Sequence, residues 1–372
     1  MPDSNPSAVI QYLNKGDFQC LFDVLHERGY RVVGPRIDQQ AIVYDEIRRV
    51  EDLPRGWTDE QVPGEYRLRR RADDAWFGFA VGPHSWKRFL FPPEAVVARA
   101  QAIAGNWEFS DVPDSAAPFA FLGVRACELA ALAVQDRVFL EGAYVDPIYR
   151  ARRQAALIVA VNCTTAASTC FCTSMNTGPE CQAGFDLALT ELHDGFEIVV
   201  GSEIGRAIAA RLPLCEATSA NLQQASRNRR NARDQITKRL DTDGIRELLL
   251  ANLDHPRWSD VAERCLSCTN CTMVCPTCFC ASVDEVSDLD TSQVDRTRRW
   301  DSCFNFEFSH LVDGPIRNTI RARYRQWLTH KLASWIDQFG TSGCVGCGRC
   351  ITWCPVGIDL TEEVAAIRAR PS

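Results

Sequence analysis

Two cysteine runs in the C-terminal third of the chain share the spacing C-x2-C-x2-C-x3-C-P. The first comprises Cys265, Cys268, Cys271 and Cys275, and the second comprises Cys344, Cys347, Cys350 and Cys354. This spacing is the bacterial ferredoxin signature for cubane iron–sulfur clusters. Three cysteines so spaced reach three corners of one cube only if the backbone wraps it as a tight loop. The doubled motif therefore predicts two 4Fe-4S clusters.

The fourth cysteine of each such run normally ligates the other cluster. We therefore expect cluster 1 to be bound by Cys265, Cys268, Cys271 and Cys354, and cluster 2 by Cys344, Cys347, Cys350 and Cys275. The two runs must then pack together. Zinc is the main alternative, but it takes four tetrahedral ligands, usually as two pairs. It does not explain the third cysteine and the Cys-Pro that follow in both runs.

Composition places the chain among soluble proteins of a reducing compartment. The 372 residues are 46% hydrophobic and 24% charged, which is ordinary for a globular protein with two or three domains. The first residues carry no basic and apolar signal regions, so the eighteen cysteines indicate thiols kept for metals in the cytoplasm. The apolar runs fall short of the roughly 20 residues that span a bilayer. A net charge of -7 argues against a protein that coats nucleic acid.

We predict an α+β protein, with an N-terminal α/β domain over residues 1–240 and a two-cluster ferredoxin-like domain over 241–372. Helical spacing from Ser7 to Gly29 predicts a packing helix, and short apolar runs between residues 31 and 81 predict a small antiparallel sheet. The ferredoxin-like domain carries a long insertion, about 281–342, which we expect to be helical. Arginines recur in it at positions 317, 321 and 325, a stripe typical of a solvated face.

Seven further cysteines are candidates for an additional cluster. Cys127 follows the predicted strand 119–124 and Cys163 follows the predicted strand 155–161, and ligands gather at the carboxyl ends of strands in open α/β sheets. A helix N-terminus and the neighbouring Arg125 are expected to favour the thiolate of Cys127. The open groupings are Cys127, Cys163, Cys170 and Cys172, or Cys278, Cys280 and Cys303 with an unknown fourth ligand. The alternative is that all seven are buried structural thiols.

Several strings together resemble one family. They are Gly123-Val-Arg125 to Cys127, Cys170-Phe-Cys172 with Gly178-Pro179 and Gly184-Phe-Asp186, Cys275-Pro-Thr-Cys278-Phe-Cys280, Trp300-Asp-Ser-Cys303, and the stretch from Gly343 to Asp359. The chain resembles the iron–sulfur beta subunit of soluble sulfhydrogenases, the NAD(P)-linked nickel–iron hydrogenases, and is similar to the dicluster iron–sulfur subunit of anaerobic sulfite reductase. It departs from the family at Ala126 and Glu128, where Pro and Asp are usual.

The resemblance implies an electron carrier that connects the small and large nickel–iron hydrogenase subunits with a flavin/NAD(P)H subunit. The chain lacks a G-x-G-x-x-G dinucleotide motif and the paired C-x2-C motifs of a nickel–iron subunit, so we expect it to be non-catalytic alone. The alternative within redox proteins is a subunit of a sulfite or sulfur reductase. The alternative from another class is a non-enzymatic iron–sulfur sensor that binds nucleic acid through its arginines.

Overall fold

The computed structural model describes residues 10–103, 105–111, 117–290 and 292–370. Its strands are β1 (Gln11–Asn14), β2 (Arg31–Asp38), β3 (Ala41–Glu46), β4 (Trp57–Val62), β5 (Glu65–Arg70), β6 (Glu94–Ile103), β7 (Asn106–Asp111), β8 (Phe119–Val124), β9 (Leu157–Val161), β10 (Leu187–Glu191), β11 (Gly195–Val200), β12 (Cys215–Glu216), β13 (Ala281–Ser287), β14 (Gln293–Trp300), β15 (His310–Leu311) and β16 (Gly314–Pro315).

Its helices are α1 (Gln19–Glu27), α2 (Lys87–Leu90), α3 (Ala126–Leu140), α4 (Pro147–Ala155), α5 (Glu203–Ala209), α6 (Ser219–Gln235), α7 (Ile245–Ala251), α8 (Arg257–Arg264), α9 (Asn270–Met273), α10 (Ile320–Thr329), α11 (Trp335–Phe339), α12 (Arg349–Thr352) and α13 (Leu360–Ala369). A π-helical turn, His330–Ser334, joins α10 to α11. Within the described ranges, no helix has both the length and the apolar character needed to cross a membrane. The chain thus mixes helices and sheets, as predicted from the sequence.

The largest sheet has eight strands in the order β12-β1-β11-β10-β9-β8-β2-β3. Its central strands β2, β8, β9 and β10 are parallel, and the outer pairs are antiparallel. Alternate residues of the buried strands face opposite sides. Ala120 and Leu122 contact the core beneath α1 and α5, whereas Phe119 and Phe121 contact the core beneath α3 and α4. The sheet therefore carries helices on both faces and presents the carboxyl ends of β8 and β9 side by side.

A second, four-stranded antiparallel sheet has the order β13-β14-β6-β7. Strands β13 and β14 belong to the insertion between the cysteine runs, and β14 pairs with β6 of the N-terminal part. The insertion was predicted to be helical, and it begins instead with this hairpin before the helices α10 and α11. Residues 283–287 of β13 are exposed, Val283 and Val286 included, so this edge strand of the sheet faces solvent.

Helices α7, α8, α10 and α13 form a separate apolar core beside the cysteine runs. Trp258 and Leu328 are fully buried in it, and Ile351 of the second run contacts the same core. Cysteines of both runs pack against this helical core. The core therefore fixes the position of the two runs relative to each other.

Two expectations for the N-terminal part were wrong. Residues 11–14 form β1, which pairs with β11, so the helix begins only at Gln19; the predicted start at Ser7 lies outside the described residues. The runs from 31 to 81 do not form one small sheet: β2 and β3 belong to the large sheet, β5 pairs with β4, and residues 76–81 form a buried loop. Sheet pairing and burial decide both cases, and neither is a local property.

Candidate iron–sulfur centre

The two cysteine runs adopt the same local backbone. In each, the second and fourth residues after the first cysteine are left-handed, with φ of 50° and 68° at Ser267 and Thr269 and of 64° and 77° at Gly346 and Gly348. A single helical turn follows, α9 in the first run and α12 in the second, and these two turns pack on each other. The repeated left-handed residues curl each loop so that its cysteines face a common point.

Backbone amides in both loops point at sulfur. The amide of Ser267 donates to Cys265 Sγ at 3.5 Å, and that of Gly346 donates to Cys344 Sγ at 3.4 Å. Hydrogen bonds of this kind stabilise thiolates and tune the potential of a bound cluster. In the first run this conformation is held by non-glycine residues, which is strained backbone of the kind that concentrates at functional sites.

The structure brings the first three cysteines of each run close to the last cysteine of the other. Burial raises the pKa of the Cys271 thiol well above its usual value, and the charges of Cys265, Cys354 and Cys268 raise it further. Cys265, Cys268, Cys271 and Cys354 also line one cavity, together with Cys350 of the second run. The first four are the residues that the sequence assigns to cluster 1.

The second set shows the mirror arrangement. Burial raises the pKa of the Cys350 thiol well above its usual value, and the charges of Cys344, Cys347 and Cys275 raise it further. Among the described residues, no group of three or more His, Cys, Asp and Glu side chains is arranged to hold a single metal ion. A cubane spaces its thiolates more widely than one ion does, because each thiolate binds a different iron. Thiolate sets of this composition fit 4Fe-4S clusters, and the ligand assignment stays a prediction.

A buried lysine that the sequence analysis did not single out lies at cluster 2. Lys331, on the π-helical turn, is 2% exposed, and its Nζ donates to Cys275 Sγ at 3.4 Å, Thr277 Oγ1 at 3.3 Å and Gly343 O at 3.1 Å. Burial opposes its charge, but the negative charges of Cys275, Cys278 and other nearby thiolates raise its pKa well above the usual value. Lys331 is therefore a fixed cation beside a predicted cluster ligand.

Replacing Lys331 with methionine should make the reduction potential of cluster 2 more negative. A cation beside the cluster stabilises its reduced form, which carries one more negative charge. We expect a shift on the order of 60 mV, which for one electron is a tenfold change in electron affinity. The fold should persist, since Thr277 Oγ1 still donates to Gly343 O. Redox titration followed by electron paramagnetic resonance measures the shift. Lys15→Met, whose lysine pairs with Glu191, should leave the potential unchanged, and an unshifted Lys331→Met potential would disprove the tuning role.

The second grouping of additional cysteines lies against a predicted ligand of cluster 2. Cys278 shares a hydrogen bond with Cys275, while Cys280 shares one with Cys303, which lowers the pKa of Cys280 to about 7. Lys87, also buried, donates to Cys278 O at 3.0 Å. Because the sequence already assigns Cys275 to cluster 2, the fourth ligand of this grouping remains missing.

The first grouping is brought together at the edge of the large sheet. Cys127 begins α3, Cys163 follows β9, and Cys170 and Cys172 lie on the loop beyond. Burial raises the pKa of the Cys127 thiol well above its usual value, and the Arg349 guanidinium opposes this rise. The Arg125 guanidinium instead acts on Cys163, where it opposes the rise in pKa caused by burial.

A buried charge network joins this edge to the second cysteine run. Arg349 of α12 pairs with Glu128 of α3 at 2.5 Å, and both side chains are essentially unexposed. Glu128 also accepts hydrogen bonds from Tyr44 Oη at 2.9 Å and Trp86 Nε1 at 3.0 Å. The paired charges and satisfied oxygens make this contact between the N-terminal part and the cluster loops specific.

Comparison with known proteins agrees with this geometry. Residues 264–358 match the family model of the 4Fe-4S dicluster domain. This part of the chain is a 4Fe-4S dicluster domain. The chain is 28% identical to the sulfhydrogenase 2 subunit beta of Pyrococcus furiosus, over 94% of this chain and 96% of the relative. No solved structure matches the chain.

The dicluster domain indicates two 4Fe-4S clusters, as the doubled cysteine motif predicts. The similarity to a sulfhydrogenase beta subunit extends beyond the ferredoxin motifs, since it spans the α/β part as well. Together the two findings bear out the resemblance drawn from the sequence and support an iron–sulfur electron-transfer subunit.

Proposed function

We propose that this chain relays single electrons between the small and large subunits of a nickel–iron hydrogenase module and a flavin/NAD(P)H subunit, in a cytoplasmic sulfhydrogenase complex. The observation that supports it best is the pair of matching cysteine loops whose thiols combine across the two runs. Two clusters held in one such contact suit one-electron transfer, because each changes charge by one without bond making. The similarity to a sulfhydrogenase beta subunit supports the choice of complex.

The two clusters would differ in exposure. Cys268 is exposed and Leu266 is 63% exposed, so the cluster 1 loop reaches the surface. The cluster 2 thiols lie deeper, enclosed by Lys331, Arg349 and the loop that carries Cys172. We propose that electrons enter or leave through cluster 1 and that cluster 2 continues the path into the molecule. We also propose the two domains 1–240 and 241–372, joined by the shared four-stranded sheet.

The isolated chain should accept electrons from a low-potential dye, yet neither oxidise NAD(P)H nor evolve hydrogen. A hydride carrier needs a flavin to split its two electrons, and hydrogen needs a nickel–iron centre. Both activities should appear only when partner subunits are added. Turnover of NAD(P)H, hydrogen or sulfite by the purified chain alone would overturn the proposal. Copurification of the tagged native complex, with identification of its subunits, decides between a nickel–iron module and the alternative sulfite reductase.

A nucleic-acid-binding sensor is the less favoured alternative. Several of the arginines that would serve it make bonds within the chain: Arg229 pairs with Glu180 and Glu197, and Arg325 donates to Leu253 O at 2.7 Å. These bonds leave fewer free cations on those faces for phosphate contacts. Salt-dependent retention of the cluster-loaded chain on a nucleic-acid column would favour the sensor instead.

A further inference from the structure

We propose that Cys127, Cys163, Cys170 and Cys172 bind a third 4Fe-4S cluster beside cluster 2. The structure selects this set from the two groupings that the sequence leaves open. Its presence is independent of the partner subunits, whereas its role in a relay rests on the proposed function.

Sheet topology brings the first two cysteines together. β8 and β9 are adjacent and parallel, with Val124 opposite Ala160, and Cys127 and Cys163 follow just beyond these ends. The loop after Cys163 closes on its own start: the Cys163 amide donates to Pro179 O at 3.3 Å, and the Cys181 amide donates to Asn162 Oδ1 at 2.7 Å. Residues 163–181 thus form a closed loop over the end of the sheet.

The other two cysteines lie within this loop, and the loop packs against the start of α3. A Cβ atom added at Gly178 would lie 3.1 Å from Cys172 Sγ and 3.6 Å from the backbone nitrogen of Cys127. The sulfur of Cys172 and the first turn of α3 therefore both lie against this glycine. Cys127 and Cys172 belong to one apolar core, and Cys170 packs against that core. Burial raises the pKa of Cys170 well above its usual value, and the charges of Cys172 and Cys163 raise it further, as expected for neighbouring thiols.

The loop is fastened to the second cysteine run. The Phe171 amide donates to Gly346 O at 2.9 Å, and Thr177 Oγ1 donates to Val345 O at 2.6 Å. Cys347, a predicted ligand of cluster 2, packs against the apolar core that contains Cys127 and Cys172. A cluster held by the four cysteines would therefore lie next to cluster 2, within the same packed region.

Two buried cations lie beside this set of cysteines. Arg125 is 1% exposed and Arg349 is 0% exposed, while Glu128 is the carboxylate that both guanidiniums face. Arg125 donates to Phe77 O at 2.8 Å, yet its buried Nε has no hydrogen-bond partner among the described residues. Asp59 is a second buried carboxylate near Arg125. Among the surrounding charges, that of the Cys163 thiolate contributes first to raising the pKa of Arg125, so a cluster bound at Cys163 would lie beside a buried cation.

The same residues fit a cluster better than structural thiols. Cys163 lies beside the Arg125 guanidinium, which opposes the rise in the thiol pKa caused by burial, whereas ordinary buried cysteines behave as small hydrophobes. Among the described residues, neither these four cysteines nor the eight cysteines of the dicluster domain are arranged to hold a single metal ion. The lack of a single-ion site therefore does not count against a cluster at the four cysteines. Cys181 also lies near Cys163, but it packs against the apolar core that contains Phe121 and Ala188 and does not contact the apolar core shared by Cys127 and Cys172, so we leave it out of the set.

Iron and sulfide analysis of the full chain, reconstituted without oxygen, tests the proposal. The native chain should hold about twelve iron atoms, and the double variant Cys170→Ala/Cys172→Ala about eight, with the two ferredoxin-type clusters retained by spectroscopy. Cys181→Ala is the matched control from the same loop and should keep about twelve. Cys280→Ala/Cys303→Ala should also keep about twelve, because that pair belongs to the other grouping.

About eight irons in the native chain would overturn the proposal, as would about twelve in the double variant. Loss of four irons in Cys181→Ala, or only in Cys280→Ala/Cys303→Ala, would likewise reject the four ligands named. If the double variant is insoluble, Cys163→Ala takes its place with the same outcomes. Failure of the proposed relay function shows separately, as missing dye reduction with the iron content intact.

Discussion

Replacing Cys354 with alanine is expected to destroy the cluster bound by Cys265, Cys268 and Cys271, although Cys354 belongs to the other run. The thiol of Cys354 lies with these three around one cavity, and an alkyl group cannot replace a thiolate at iron. The chain should lose about four irons, and the spectroscopic signals of the 344–350 cluster should remain. Iron analysis with Mössbauer spectroscopy or electron paramagnetic resonance measures both.

The reciprocal variant provides the internal control. Cys275→Ala should remove the cluster at Cys344, Cys347 and Cys350 and spare the first one. Cys20→Ala, on α1 and away from both runs, should change neither. Loss of only the 344–350 cluster in Cys354→Ala would show that each run supplies all four of its own ligands, and the crossed assignment would be wrong.

The cluster loops could be predicted from sequence because the chemistry is local. A fixed cysteine spacing and a following proline leave few backbone paths, and the structure realises one path twice, with left-handed residues at equivalent positions. The meeting of the two runs followed from a single rule about the fourth cysteine. Neither step required knowledge of the rest of the fold.

The sheet edge could be predicted in part. The predicted strands 119–124 and 155–161 are observed as buried strands over 119–124 and 157–161, and the rule on the carboxyl ends of strands placed Cys127 and Cys163 together. Which of the remaining cysteines join them depends on how a long loop folds back. The sequence left two groupings open for that reason, and the bonds of Phe171 and Thr177 to the second run favour one of them.

Buried charges were beyond the sequence. Lys331 and Arg349 look like ordinary surface cations in a chain that is 24% charged. Their burial results from contacts between distant segments, such as the 2.8 Å bond from Arg349 Nε to Gly82 O. The first helix was misplaced for a similar reason, because pairing of Tyr12 and Leu13 with β11 outweighs their helical spacing.

Replacing Gly346 with alanine is expected to disrupt cluster 2 and the loop that carries Cys172 together. The new Cβ would lie 2.7 Å from the backbone nitrogen and Cα of Cys172 and from the carbonyl carbon of Phe171, where backbone cannot yield without moving the loop. The φ of 64° adds the cost of a left-handed alanine, about 1–2 kcal/mol. We expect overpacking to add about 1–3 kcal/mol and the iron content to fall.

Gly29→Ala separates the two costs. Gly29 has a φ of 81°, but its added Cβ would meet nothing within 4 Å, so this variant carries the conformational cost alone. Under anaerobic thermal unfolding, Gly346→Ala should melt clearly below Gly29→Ala, and only Gly346→Ala should lose iron. The lost bond from the Phe171 amide to Gly346 O should also increase proteolysis of the 163–181 loop. Equal melting temperatures with full iron in both variants would contradict the close approach of this loop to the second cysteine run, and with it the placement of Cys172 beside cluster 2.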